Sequence, residues 1–94
     1  MKKVIYSSHL EFRLKIRKIS RSLPKRIYLA SEERYFDAET DKYVAVMQAQ
    51  YQGKLREMGV IYEEDGGAII LITVHPLKYL QKSHRIKSGR WEKI

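Results

Sequence analysis

Glu63-Glu64-Asp65-Gly66-Gly67-Ala68-Ile69-Ile70-Leu71-Ile72-Thr73-Val74 is the stretch on which the architecture turns. Its first five residues form an acidic Asp-Gly hairpin signal, because Asp and Gly tolerate the positive φ that tight hairpin turns need. The next seven lack polar alternation, as expected of a strand covered on both faces. Toward the N-terminus, residues 55–62 read as the strand that feeds this turn. Gln52-Gly53 marks an earlier hairpin, and residues 43–52 are aromatic and β-branched enough for its first strand. Toward the C-terminus, His75-Pro76 ends the apolar strand, since proline cannot donate to a ladder. Leu77, Tyr79 and Leu80 are expected to form one packed turn.

The N-terminal third reads differently. Val4-Ile5-Tyr6 is a short β-prone run. Ser8 with Glu11 fits a capping box. Leu10, Phe12, Leu14 and Ile16 alternate as a strand would, whereas Phe12, Ile16 and Ile19 fall at helical spacing. The cap and the density of Leu, Glu, Arg and Lys favour the helix, with Phe12, Ile16 and Ile19 as its apolar stripe. Ser20 and Ser22 offer a second cap, and Pro24 suits a first helical turn. Leu23, Ile27 and Ala30 are then the buried stripe of a second helix ending near Ser31. Arg34-Tyr35-Phe36 is β-prone, and residues 37–41 are rich in turn formers. The expectation is one α+β domain over residues 1–94. Two N-terminal helices pack on a small, mostly antiparallel sheet in the order β-α-α-β-β-β, followed by a basic tail from Lys82 to Ile94.

The chain has no cysteine, which removes disulfides, thiolate zinc sites and thiol nucleophiles. Its start does not resemble a signal peptide, and the longest apolar run is too short for a membrane span. A cytoplasmic protein with no membrane partner is expected. Charge is sorted along the chain. Residues 1–30 hold nine Lys/Arg against Glu11, residues 31–65 four against nine acids, and residues 66–94 six against Glu92, within a net charge of +8. Such a balance points to a polyanionic or acidic partner, provided the two basic ends meet on one side of the fold.

Several groups could carry chemistry. His9, Arg13 and Arg17 recur every four residues and so share one helix face, either as a solvated stripe or as a contact for phosphates. Lys78, Lys82, His84, Arg85, Lys87, Arg90 and Lys93 are interleaved with Tyr79 and Trp91, the pattern of cations and aromatic faces that single-stranded nucleic acid uses. Trp91 could equally anchor the tail by packing. His75 at the strand end could be a general base toward a 2′-hydroxyl, or a histidine bonded to backbone. The three histidines share no metal-ligand spacing, so neither metal nor cofactor is expected. Glu32-Glu33 and Asp37-Glu39-Asp41 read as a solvated acidic rim.

His9, Arg13, Arg17 and Ile19 resemble the opening Ser-x-His…Arg…Arg-x-Ile-Ser helix of a widespread family of small proteins. That family is related to the RelE/ParE-like and BrnT-like toxins of toxin–antitoxin systems. Val60-Ile61-Tyr62-Glu63-Glu64, then residues 69–73, His75-Pro76 and the closing Ser88-Gly89-Arg90-Trp91 are similar in order and spacing. The resemblance implies a RelE-like β-α-α-β-β-β domain and a small acidic antitoxin as partner. RelE-like relatives cut messenger RNA on the ribosome through 2′-hydroxyl attack on the adjoining phosphate, whereas ParE-like relatives act on a topoisomerase. Arg85 and Arg90 lie where such proteins hold functional cations after the last strand. No residue matches the C-terminal tyrosine of some RelE-like toxins.

Together these readings predict a metal-independent mRNA endoribonuclease, with His75, His84, Arg85 and Arg90 as catalytic candidates. His9, Arg13, Arg17, Lys78, Lys82, Lys87 and Trp91 are candidates for binding RNA or a partner. The alternative is a non-catalytic module that uses the same basic face to bind nucleic acid or an acidic antitoxin-like protein.

Overall fold

The computed structural model describes residues 2–94. In chain order the elements are β1 (Lys3–Tyr6), α1 (Ser8–Arg17), α2 (Leu23–Ala30), β2 (Glu33–Asp37), β3 (Lys42–Tyr51), β4 (Lys54–Asp65), β5 (Ala68–Pro76), α3 (Gln81–Lys87) and β6 (Trp91–Lys93). The class is α+β. Both hairpins form where the turn residues place them. Tyr51 pairs with Lys54 across Gln52 and Gly53, both at positive φ (52° and 77°), as a two-residue turn of matching twist requires. Asp65 pairs with Ala68 across Gly66-Gly67.

The strands form one sheet in the order β1-β5-β4-β3-β2-β6. β1 runs parallel to β5, and every other neighbouring pair is antiparallel. α1 and α2 cover one face. Leu10, Leu14, Leu23 and Ile27 bury there against Met58, Val60, Ile69, Leu71 and Val74. The opposite face carries a smaller core of Tyr35, Val44, Val46, Leu77 and Trp91. β5 buries Ile69, Leu71 and Val74 beneath the helices, whereas Ile70 and Ile72 on its other face are half-buried and join neither core, so the expected cover on two faces is complete on one only.

Three expectations need correction. The element order is β-α-α-β-β-β-β-α-β, because Arg34-Tyr35-Phe36 belongs to the full strand β2 and the basic tail folds into α3 and β6. β6 is three residues long and exists through its pairing with β2 (Asp37 opposite Trp91), a contact more than fifty residues apart in sequence. α3 buries none of its residues, so no apolar period marks it.

The start of α1 also differs. Its cap is Ser7 rather than Ser8: the Leu10 N–H donates to Ser7 Oγ at 3.0 Å, while Glu11 pairs with Arg21 instead of closing a capping box. Ser7 is pinned to β5 as well, its N–H donating to the Leu71 carbonyl and its hydroxyl to that of Ile72. This anchor sets which side of α1 meets the sheet. Leu10 and Leu14 are buried, while Phe12 and Ile16 stand 62% and 61% exposed. In α2, Leu23 and Ile27 are buried as expected and Ala30 is exposed.

Candidate nucleic-acid interface

β1 covers only Ala68–Leu71 of β5, so the C-terminal half of β5 has no strand on its outer side. α1 follows β1 directly and lies against this uncovered half from one face of the sheet. α3 follows β5 and approaches along the other face. The two basic ends of the chain therefore meet around an open sheet edge.

A bulge aims the central residue of that edge. Tyr62 of β4 pairs with Leu71 and Ile61 with Thr73, which leaves Ile72 as an extra residue in β5. Side chains alternate along a strand, and one extra residue reverses the alternation beyond it. Ile69 and Leu71 point into the helix-covered core, yet beyond the bulge Val74 points there and His75 does not.

His75 separates two cavities. The first, about 530 Å³, opens at the sheet edge and is lined by His9, Arg13 and Arg17 from α1, Arg56 from β4, His75, and Lys78 after β5. Among the described residues, Arg13, Arg17, Arg56 and Lys78 have no acidic partner. Burial depresses the His75 pKa, and Arg13, Arg85 and Arg17 depress it further by repelling a second positive charge. The imidazole is thus held neutral near pH 7, with a lone pair free to accept a proton. Thr73 Oγ1, also at this edge, is buried without a hydrogen-bond partner.

The second cavity, about 350 Å³, lies on the face opposite α1 and α2. Ile61 and Ile72 form its apolar part, with Arg85 and Trp91 beside them, and His75 and Gln81 line both cavities. Apart from Arg85, its charges are matched. Asp37 accepts from Arg90 Nε at 2.9 Å and Nη2 at 3.0 Å, and from the Trp91 indole at 3.4 Å. Burial alone would raise the Asp37 pKa, but these donors outweigh it and hold the carboxyl below its ordinary value. Lys42 pairs with Glu63.

The remaining candidates fall outside the edge pocket. Arg90 is committed to Asp37 and reaches Glu39. Trp91, 3% exposed, stacks on Tyr35 and has the Arg85 guanidinium over its ring, so the ring is unavailable to a base. Lys82 bridges Glu33 and Glu57 at 2.8 and 2.7 Å, and despite burial these carboxylates raise its pKa. The acids Asp37 and Glu33 thus anchor the C-terminal segment rather than forming a solvated rim. His84 and Lys87 are exposed on α3 and line neither cavity. Arg56 and Gln81 escaped the sequence reading, because nothing in their local sequence signals which strand end or helix start faces His75. Among the described residues, no three His, Asp or Glu side chains gather as a metal site. No helix among them is long and apolar enough to cross a membrane.

Compared with known proteins, the chain matches no family model, no curated protein and no solved structure.

Proposed function

We propose that this chain is a toxin-like, metal-independent endoribonuclease whose active site is the edge pocket around His75. One observation carries the reading: a histidine kept neutral by burial and by arginines stands within a ring of cations that have no carboxylate of their own. Unmatched cations call for an anion, and a neutral imidazole among them can act as a base. His75 takes the proton of a ribose 2′-hydroxyl. The 2′-oxygen then bonds to the adjoining phosphorus while the bond from phosphorus to the 5′-oxygen breaks, giving a 2′,3′-cyclic phosphate. His9, across the same pocket, supplies the proton that the departing 5′-oxygen needs. Arg13, Arg17, Arg56 and Lys78 stabilise the charge that builds on the phosphorane.

The partner reading is a small acidic antitoxin-like protein. A broad depression beside edge strand β1 supports it, with Val4, Ile5 and Leu29 as apolar lining and Lys25 and Arg26 as cationic rim, Arg21 there being paired with Glu11. An acidic protein encoded in the neighbouring reading frame that co-purifies with the chain would bear this out.

The direct test incubates single-stranded RNA with the protein in excess chelator, with and without ribosomes. Cleavage leaving cyclic phosphate ends, lost in His75→Gln with binding retained, is expected. RNA that is retarded but uncut, indifferent to His75, would make the chain a binding module instead. RNA that is neither bound nor cut ends both readings.

A further inference from the structure

The cleft behind His75 has a different character from the edge pocket, and the difference divides labour between them. In the edge pocket the cations are unmatched, so a phosphate gains there. In the cleft every full charge but one is already paired: Asp37 with Arg90, and Lys42 with Glu63. The exception is Arg85, which lies over Trp91 with its ring centroid 5.8 Å away. A planar guanidinium held near an aromatic ring can itself serve as a stacking partner for a base. Ile61 and Ile72 offer apolar contact beside it. Gln81 spans both cavities; its Oε1 accepts from the Lys78 N–H at 2.9 Å, which leaves its amide N–H groups free to donate.

From this we infer that the cleft seats one nucleobase while the edge pocket holds the adjoining phosphate, so that the two cavities form a single nucleotide site for unpaired RNA. The inference rests on RNA being the ligand of the edge pocket. A partly apolar slot with one amide donor, whose charges other than Arg85 are already paired, suits a base better than a phosphate. The walls shared through His75 and Gln81 put base and phosphate on either side of the proposed base catalyst. At about 350 Å³ the cleft admits a single base that has left its stack, and a duplex presents none.

The test compares two oligoribonucleotides of equal length and charge, both 2′-O-methylated against cleavage, one normal and one carrying abasic sites. Binding is followed by fluorescence anisotropy in chelator across a salt series. The abasic strand is expected to bind about tenfold more weakly, the worth of one stacked base, with the same salt slope because the phosphate contacts are unchanged. Thr40, exposed at the cleft mouth, is replaced in a second arm. Thr40→Trp should fill the cleft and abolish the difference between strands while leaving abasic binding intact. Equal affinity of the two strands for the unaltered protein overturns the base seat but keeps the phosphate pocket. Failure of both strands to bind overturns the RNA reading itself, and the base seat with it.

Discussion

Gly59 lies directly across the β4–β5 ladder from His75, and Leu77 occupies the space a side chain there would take. A Cβ at Gly59 would stand 3.3 Å from Leu77 Cδ2 and 3.6 Å from Val44 Cγ1. Leu77 is the last buried residue before Lys78 and α3, so this packing sets where both begin. Gly59→Ala should destabilise the fold by about 1–2 kcal/mol in urea unfolding, with Gly59→Val worse. An Ala variant as stable as the parent would mean that Leu77 is not held there.

The two adjacent serines at the start of α1 should separate cleanly. Ser7→Ala removes both the cap on Leu10 and the hydroxyl bonded to the Ile72 carbonyl at the bulge. A loss of about 1–2 kcal/mol is expected. Ser8→Ala should stay within about 0.5 kcal/mol, as surface changes do. Thermal unfolding of both variants decides whether the cap sits where the structure has it.

Asp37 ties β2 to the C-terminal segment through Arg90 and Trp91. Asp37→Asn leaves a half-buried guanidinium with only the exposed Glu39 as charge partner and should cost about 2–3 kcal/mol. Because the folded carboxyl titrates below its ordinary 3.8, the stabilisation is present at neutral pH and is lost as pH falls through and below that value. Acid unfolding of Asp37→Asn should therefore be shallower than that of the parent over this range.

His75 should titrate below the ordinary 6.5 in imidazole NMR. Between that depressed value and 6.5 the unfolded chain binds a proton that the folded one refuses, so stability falls as pH drops through 6.5. His75→Gln should flatten that part of the profile. Arg13→Gln removes a repelling charge and should move the His75 midpoint upward. An unmoved midpoint would mean that Arg13 does not face the ring.

On α1 the faces can be told apart by truncation. Leu14→Ala should cost about 2–4 kcal/mol as a core truncation. Phe12→Ser and Ile16→Ser, on the exposed side, should change stability little. The opposite result would restore the stripe that helical spacing alone suggests.

Much of the sheet was legible because its signals are local. Gly53 and Gly66 take the positive φ that their turns need, and the unbroken apolar run from Ala68 to Val74 marks a long strand through its own composition. Leu23 and Ile27 were legible for the same reason, being the apolar positions of a short helix with a proline in its first turn. α1 was not, since two apolar sets compete in it and the choice lies with the anchor of Ser7 on β5. α3 and β6 were opaque: one has no buried residue, and the other is three residues held by a distant strand. Trp91 was singled out for stacking, but its ring is already taken by Tyr35 and Arg85.

The sequence by itself determined the α+β class, the two hairpins, the long apolar strand β5 and the sorting of charge along the chain. These follow from backbone preference and composition, which act over a few residues. Only the tertiary structure decided that the basic ends meet, because that depends on β1 stopping four residues into β5 and leaving an edge which α1 and α3 reach from opposite faces. It decided likewise that Arg90 and Lys82 are neutralised by Asp37, Glu33 and Glu57, while Arg13, Arg17 and Lys78 are not. It also turned His75 out of the core, through one unpaired residue, Ile72, whose place in the ladder depends on a partner strand that local sequence does not reveal.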